Sequence, residues 1–301
     1  MKVAFELAFR EQRKLNSFIK TCEAMCVQSD TALFKVKRRG AYIMLSDFES
    51  LCCLEARITD GIQGMLKMHC KEFTAKILLD SLTSVLRRVL KNKHSAILFG
   101  DLDDDHKLQV KEVIGQSHRV VAVHQITSTE NRARVYHVIS THQFRQKSKN
   151  YVQFRLPNVE FNKLITMQSI ISGTNGGVGA MLITPIDDEK GPGGPETDPP
   201  KNRCDIKFFL KNNGGGMGGV TIHTHTASEV VPVLHRPDQS ILTKYFLTYL
   251  KRSQNLFSVP SDYVTLYVSE RGVMVHTDSK DNHTVVIFTA DISDEDLDSY
   301  V

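Results

Sequence analysis

The sequence predicts an α+β fold made of two copies of one β-rich domain, and three observations carry that reading. Strand-like runs dominate the chain, a few amphipathic helices interrupt them, and the order of elements in the first half recurs in the second. Each half opens with a strand and a helix: Val3 to Phe9 then a helix over 9–26, and Tyr151 to Leu156 then Val159 to Ile171. Further strands follow, then a second helix (78–93 and 241–254), then closing strands. With 301 residues, 41% apolar and 24% charged, the composition is ordinary for a globular protein and the length suffices for two medium domains.

Alternating or β-branched runs predict strands near 2–8, 31–37, 41–45, 50–58, 95–99, 107–114, 119–126 and 133–139 in the first half. In the second half they fall near 151–156, 178–186, 204–210, 219–226, 229–234, 262–268, 272–277 and 284–290. Between the halves, 140–150 is polar, with Gln143, Arg145, Gln146, Lys147, Ser148 and Lys149, and reads as a connector. The stretch 191–201 (GPGGPETDPPK) is turn-forming and poor in apolar residues, so it reads as an exposed loop outside any core. Gly214 to Gly219 marks a hairpin before the strand at 220–226.

The helices carry the most chemistry. At about 100° per residue, 9–26 sets Leu15, Phe18, Ile19, Cys22 and Cys26 against Arg10, Arg13, Lys14 and Lys20. The segment 78–93 sets Leu78, Leu82, Val85, Leu86 and Val89 against Arg87, Arg88 and Lys91. A helix over 241–254 places Leu242, Phe246, Tyr249 and Leu250 opposite Lys244, Lys251 and Arg252. The helix at 159–171 is less charged, with Lys163 opposite Phe161, Leu164, Ile165 and Gln168. Solvated helix faces usually interleave acids with bases, since unlike charges at i,i+4 help and like charges hurt. These faces mostly lack the acids, so an anionic partner is expected to neutralise them.

The net charge of +4 hides this asymmetry, because Asp291, Asp294, Glu295, Asp296 and Asp298 crowd the C-terminus. No run approaches the roughly 18 apolar residues of a membrane span, and Glu6, Arg10 and Glu11 interrupt any signal-peptide core. The expectation is a soluble protein in a reducing, intracellular compartment. Six cysteines without a CxxC spacing (22, 26, 52, 53, 70 and 204) agree with that and read as packing residues.

Several motifs are weighed and set aside. Asp101, Asp103, Asp105 and Glu112 match positions 1, 3, 5 and 12 of a calcium loop, but His106 replaces the required Gly and the flanks read as strands. His223 and His225 share a strand face without further metal ligands nearby in sequence. The glycines of 173–179 lack the Lys-Ser/Thr ending of a P-loop. Lys35, Lys37, Arg38 and Arg39 form a basic cluster at a strand turn, read as solvated, with auxiliary contact to the anionic partner as the sharper option. No nucleophile and base pair stands at useful spacing, and the expectation is a protein that is not an enzyme and needs no cofactor or metal.

Duplicated halves, basic helix faces, a connector and an acidic tail together resemble the PCNA-type DNA sliding clamps. SDFESLCCLEARI (46–58) is similar to the clamp strand with a Ser-x-x-x-Ser-Leu-x-x-x-Leu pattern, and YVQFRLPNVEF (151–161) to the strand, turn and helix that open a clamp's second domain. VTLYVSERGVMVHT and TVVIFTADISDED resemble the final hairpin and acidic extension. The long 187–203 insertion and the basic connector depart from cellular clamps and look like the clamp of a large cytoplasmic DNA virus.

The resemblance implies duplicated DNA-clamp (processivity fold) domains with sheets outside and four helices on the inner face. Its domains are 1–139, a connector over 140–150, and 151–301 with the insertion 187–203 and an acidic tail over 291–301. It implies a homotrimeric ring around double-stranded DNA, bound without sequence preference through Arg10, Arg13, Lys14, Lys20, Arg87, Arg88, Lys91, Lys163, Lys244, Lys251 and Arg252. It implies recruitment of DNA polymerase and other replication or repair proteins by short peptides, in a pocket at Phe48, Leu51, Phe144, Ile287, Ala290 and Ile292. Arg145, Lys147 and Lys149 would favour more acidic peptides. Subunits would pair Arg134, Val135, Tyr136, His137 and Val138 with Val220, Thr221, Ile222, His223 and Thr224 on two edge strands. The viral likeness implies the host cytoplasm, with the nucleus as the other compartment. Two rivals stand beside the ring: a herpesvirus-type processivity factor that holds DNA as a monomer or dimer, and a non-enzymatic viral module that binds RNA or acidic protein.

Overall fold

The computed structural model describes residues 3–26, 29–46, 52–58, 65–101, 107–115, 117–122, 148–172, 178–186, 202–211, 217–224, 231–246, 262–278 and 283–290. These fall into two compact units, the first drawn mainly from Met1–Val138 and the second from Ile139–Gln254 with Asp262–Thr277.

The first unit runs β1 (Val3–Phe9), α1 (Gln12–Cys26), β2 (Thr31–Lys37), β3 (Gly40–Ser46), β4 (Cys52–Ile58), β5 (Leu66–Met68) and β6 (Glu72–Leu78). It continues with α2 (Leu79–Lys91), β7 (Ser95–Asp101), β8 (Lys107–Ile114) and β9 (Ser117–Ala122). One sheet has the order β5-β1-β7-β8-β9, and the other strands lie in the order β4-β3-β2-β6. Alternation drives the assembly: Phe5, Leu7 and Phe9 of β1, Phe34 and Val36 of β2, and Phe73 and Ile77 of β6 are buried, while Glu6, Ala8, Lys35, Thr74 and Lys76 between or beside them are more exposed. Phe5 meets Phe34 at 6.2 Å and Phe73 at 5.0 Å between ring centroids, joining the two sheets. Phe9 stacks on Phe18 at 4.9 Å, fixing α1 to β1.

The second unit runs β10 (Tyr151–Pro157), α3 (Asn158–Ser172), β11 (Val178–Pro185), β12 (Cys204–Lys211), β13 (Met217–His223) and β14 (Val233–His235). Then come β15 (Ile241–Phe246), β16 (Tyr263–Ser269) and β17 (Gly272–Asp278); the last strand, β18 (His283–Ala290), is divided, with 283–286 counted in the first unit and 287–290 in the second. Its strands order as β14-β10-β16-β17 and β13-β12-β11-β15. Each position matches one in the first unit: β14, β10, β16 and β17 stand where β5, β1, β7 and β8 stand, and β13, β12, β11 and β15 where β4, β3, β2 and β6 stand. The duplication read from the order of elements is therefore a duplication of topology.

The helix expected over 241–254 is corrected by β15. Residues 241–246 pair antiparallel with β11, Ile241 opposite Ile183 and Tyr245 opposite Gly179. Ile241, Thr243 and Tyr245 are buried, while Leu242 is 49% exposed, the period of a strand rather than a helix. The run ILTKYF satisfies both templates in sequence, and a waiting edge of β11 decides between them. Residues 247–254 lie outside the described residues, which contain three helices. The helix expected from residue 9 starts at Gln12, because β1 runs through Phe9. Strands β5 and β6 lie outside the set expected from sequence, although Phe73, Ala75 and Ile77 alternate with Thr74 and Lys76 as a half-buried strand should.

Candidate nucleic-acid interface

Helices α1 and α2 pack against each other in the first unit. Leu15, Phe18, Ile19, Cys22 and Met25 of α1, and Leu79, Leu82, Leu86 and Val89 of α2, are buried. Burying those faces turns the opposite faces outward. Arg13, Lys20, Arg87, Arg88 and Lys91 are exposed there, and Lys14 is half-exposed. Arg88 and Lys91 lie in the last turn of α2, where they also complement the carbonyl end of the helix. Asn92 and Lys93, the latter at φ 58°, close that helix with N–H groups bonded to Arg88 O and Leu90 O.

The strip is tempered by acids. Arg87 Nε donates to Glu23 Oε1 at 2.5 Å across the two helices, and that hydrogen bond and charge raise the Arg87 pKa. Lys14 Nζ lies 3.0 Å from Glu11. Lys20, Arg88 and Lys91 have no ion-pair partner among the described residues. Such exposed pairs contribute little to stability, so exchanging Glu23 or Glu11 for a phosphate carries a small cost.

Arg10 is not part of this strip. It precedes α1, and alternation along β1 puts it with Glu6 and Ala8, opposite the buried Phe5, Leu7 and Phe9. There it lines a groove on the sheet. Lys163 is exposed on α3 but pairs with Glu160 at 2.8 Å, and its neighbours Val159 and Met167 are exposed apolar residues. Lys244 lies on β15, not on a helix. Lys251 and Arg252 lie outside the described residues. The structure thus brings together Arg13, Lys14, Lys20, Arg87, Arg88 and Lys91, all from the first unit.

For the expected peptide pocket, Phe48, Leu51, Phe144 and Ile292 lie outside the described residues, and Ile287 and Ala290 belong to β18. The described end of the connector is anchored within the second unit: Ser148 Oγ donates to Ser269 Oγ at 3.1 Å, and Asn150 Nδ2 to Gln239 O at 3.1 Å. For the expected subunit contact, Arg134 to Val138 lie outside the described residues. Val220, Thr221, Ile222 and His223 lie on β13, an edge strand of its four. Thr224 pins the end of that edge, donating to Cys204 O at 2.8 Å and accepting from Cys204 N–H at 2.9 Å.

The motifs set aside find ordinary partners. Glu112 is 4% exposed and bonds to His94 Nδ1 at 2.7 Å and Asn92 Nδ2 at 3.3 Å, so its carboxylate fastens the end of α2 to β8; Asp103, Asp105 and His106 lie outside the described residues. His223 Nδ1 pairs with Asp205 Oδ1 at 2.8 Å. Lys35 and Lys37 meet Glu72 at 2.7 and 3.4 Å. Burial alone would raise the Glu72 pKa, but the two ammonium groups outweigh it and lower the value. Among the described residues no group of His, Cys, Asp and Glu could hold a metal ion, and no helix is long and apolar enough to cross a membrane.

The proliferating cellular nuclear antigen of Entamoeba histolytica has a similar structure, with a TM-score of 0.63 over 97% of this chain and 100% of that one, at 14% identity. No protein-family model matches the sequence, and no curated protein matches it significantly. The chain therefore has a PCNA-type clamp fold, two topologically equivalent units of sheets and helices.

Proposed function

We propose that this protein is a DNA sliding clamp, a processivity factor that closes as a homotrimer around duplex DNA and recruits a DNA polymerase and other replication or repair proteins. The observation that carries the reading is the cationic outer strip of the paired helices α1 and α2 on a duplicated clamp fold. Contacts to phosphate alone hold DNA without a preferred sequence, so a protein held this way slides. The work is topological and electrostatic, not catalytic, and calls for no cofactor. The basic connector and the 187–203 insertion support a clamp of a large cytoplasmic DNA virus, such as that of African swine fever virus, with the host cytoplasm the expected location.

The test is retention on DNA of different topology. A closed ring stays on nicked circular DNA at salt concentrations that strip direct binding and is lost once the circle is cut, because it slides off the ends. Equal retention on circular and linear DNA overturns the ring. A solution mass of one or two chains instead of three times 33.9 kDa favours the herpesvirus-type factor, and preference for RNA over duplex DNA favours the interaction module.

A further inference from the structure

The geometry points to a docking site for a short acidic, aliphatic peptide of a partner protein, in the groove on the outward side of the β5-β1-β7-β8 strands. The groove has a volume of about 400 Å³ and is lined by Glu6, Arg10 and Lys67 among its charged residues. Met65, Ile97 and Val113 supply its aliphatic surface.

The duplicated fold indicates that this cavity is a choice of residues rather than a by-product of the scaffold. Phe9 faces Ala96 in the first unit as Leu156 faces Val264 in the second. Aligning those buried pairs puts Ala8 at the place of Arg155, and Ser95 at the place of Tyr263. In the second unit those two positions carry large side chains, and the Arg155 guanidinium lies over the Tyr263 ring at 4.7 Å. In the first unit the same two positions hold small side chains, and the space stays open.

The lining selects the ligand. Two cations, Arg10 and Lys67, line the groove beside one carboxylate, Glu6, which stands opposite Lys67 across the strands, so the lining carries a net positive charge that favours an added acidic group. The volume suits two or three side chains and is too narrow for a duplex. The lining contains no aromatic ring on which a nucleobase could stack, whereas Met65, Ile97 and Val113 suit Leu, Ile or Val. The site does not depend on duplex binding by the helices.

The probe is a randomised octapeptide library of Asp, Glu, Leu, Ile and Val, selected on the immobilised full-length protein beside a library with Lys and Arg in place of the acids. Acidic peptides should be enriched, and Ala8→Arg and Lys67→Glu should each weaken them by roughly tenfold, with melting temperature and duplex binding unchanged. Ala8→Arg adds a positive charge, so a loss with that variant reports filling of the groove; peptides held by the helix cations would not lose affinity. Three results overturn the proposal: equal enrichment of the two libraries, selected peptides that bind both variants as tightly as the parent, or displacement of those peptides by adenosine monophosphate.

Discussion

At Gly100 a hydrogen atom stands where any other side chain would collide: an added Cβ would lie 2.5 Å from the ring of Phe73 and 2.8 Å from that of Phe5. Both rings are themselves buried, so neither has free space to retreat into. Gly100→Ala is expected to destabilise the protein by about 1–3 kcal/mol, read as a lower urea midpoint with an unchanged slope. The thiols make a second residue-level prediction. Burial pushes Cys26 and Cys204 up to about 11 and Cys22 up as well, so all three stay protonated at neutral pH. Of Cys22, Cys26, Cys70 and Cys204, the half-exposed Cys70 should be alkylated first, and mass spectrometry after a short iodoacetamide pulse orders them. Because these folded pKa values are raised, the stabilisation from keeping the thiols neutral is complete below the unfolded value of 9.0 and is lost as pH rises toward 11.

Among the elements, β15 separates the two readings of ILTKYF. Among the described strands it pairs with β11 at the edge of its sheet, so hydrogen exchange should protect alternate amides between residues 241 and 246, whereas a helix would protect consecutive ones. Leu242→Lys should change stability by less than about 0.5 kcal/mol, since the side chain is half-exposed. Tyr245→Ala should cost about 3 kcal/mol or more, because Tyr245 is fully buried and packs against the bare backbone of Gly179. Comparable losses for the two variants would restore the helix. The paired helices α1 and α2 carry the electrostatic prediction. Reversing Lys20, Arg88 and Lys91 to Glu should weaken duplex binding and flatten its dependence on log salt by about 0.9 per lost phosphate contact. Unchanged slopes in a salt titration would remove these helices from the interface.

For the whole molecule, partner recruitment and ring closure are expected to be separable. Phe144→Ala should lower polymerase stimulation on primed circular DNA while leaving the solution mass and DNA affinity intact, and a loss of trimer mass would assign Phe144 to the subunit contact instead. Much of the fold was legible in the sequence for a physical reason: burial on one side imposes period 2 on a strand and period 3.6 on a helix. The helices α1, α2 and α3 and most strands could be read from that imprint alone. So could the repeated order of elements and the cations left on the faces of α1 and α2. Other features depended on contacts between residues distant in the chain. The partner strand, not the local pattern, made 241–246 a strand. The end of β1 at Phe9 turned Arg10 away from the helices and into a groove. Glu23, sixty-four residues from Arg87 in sequence, reached it only once α1 and α2 had packed. Periodicity and charge are properties of a segment and survive in the sequence. Register, pairing and the space between Ala8 and Ser95 come into being when segments meet, and only the tertiary structure decided them.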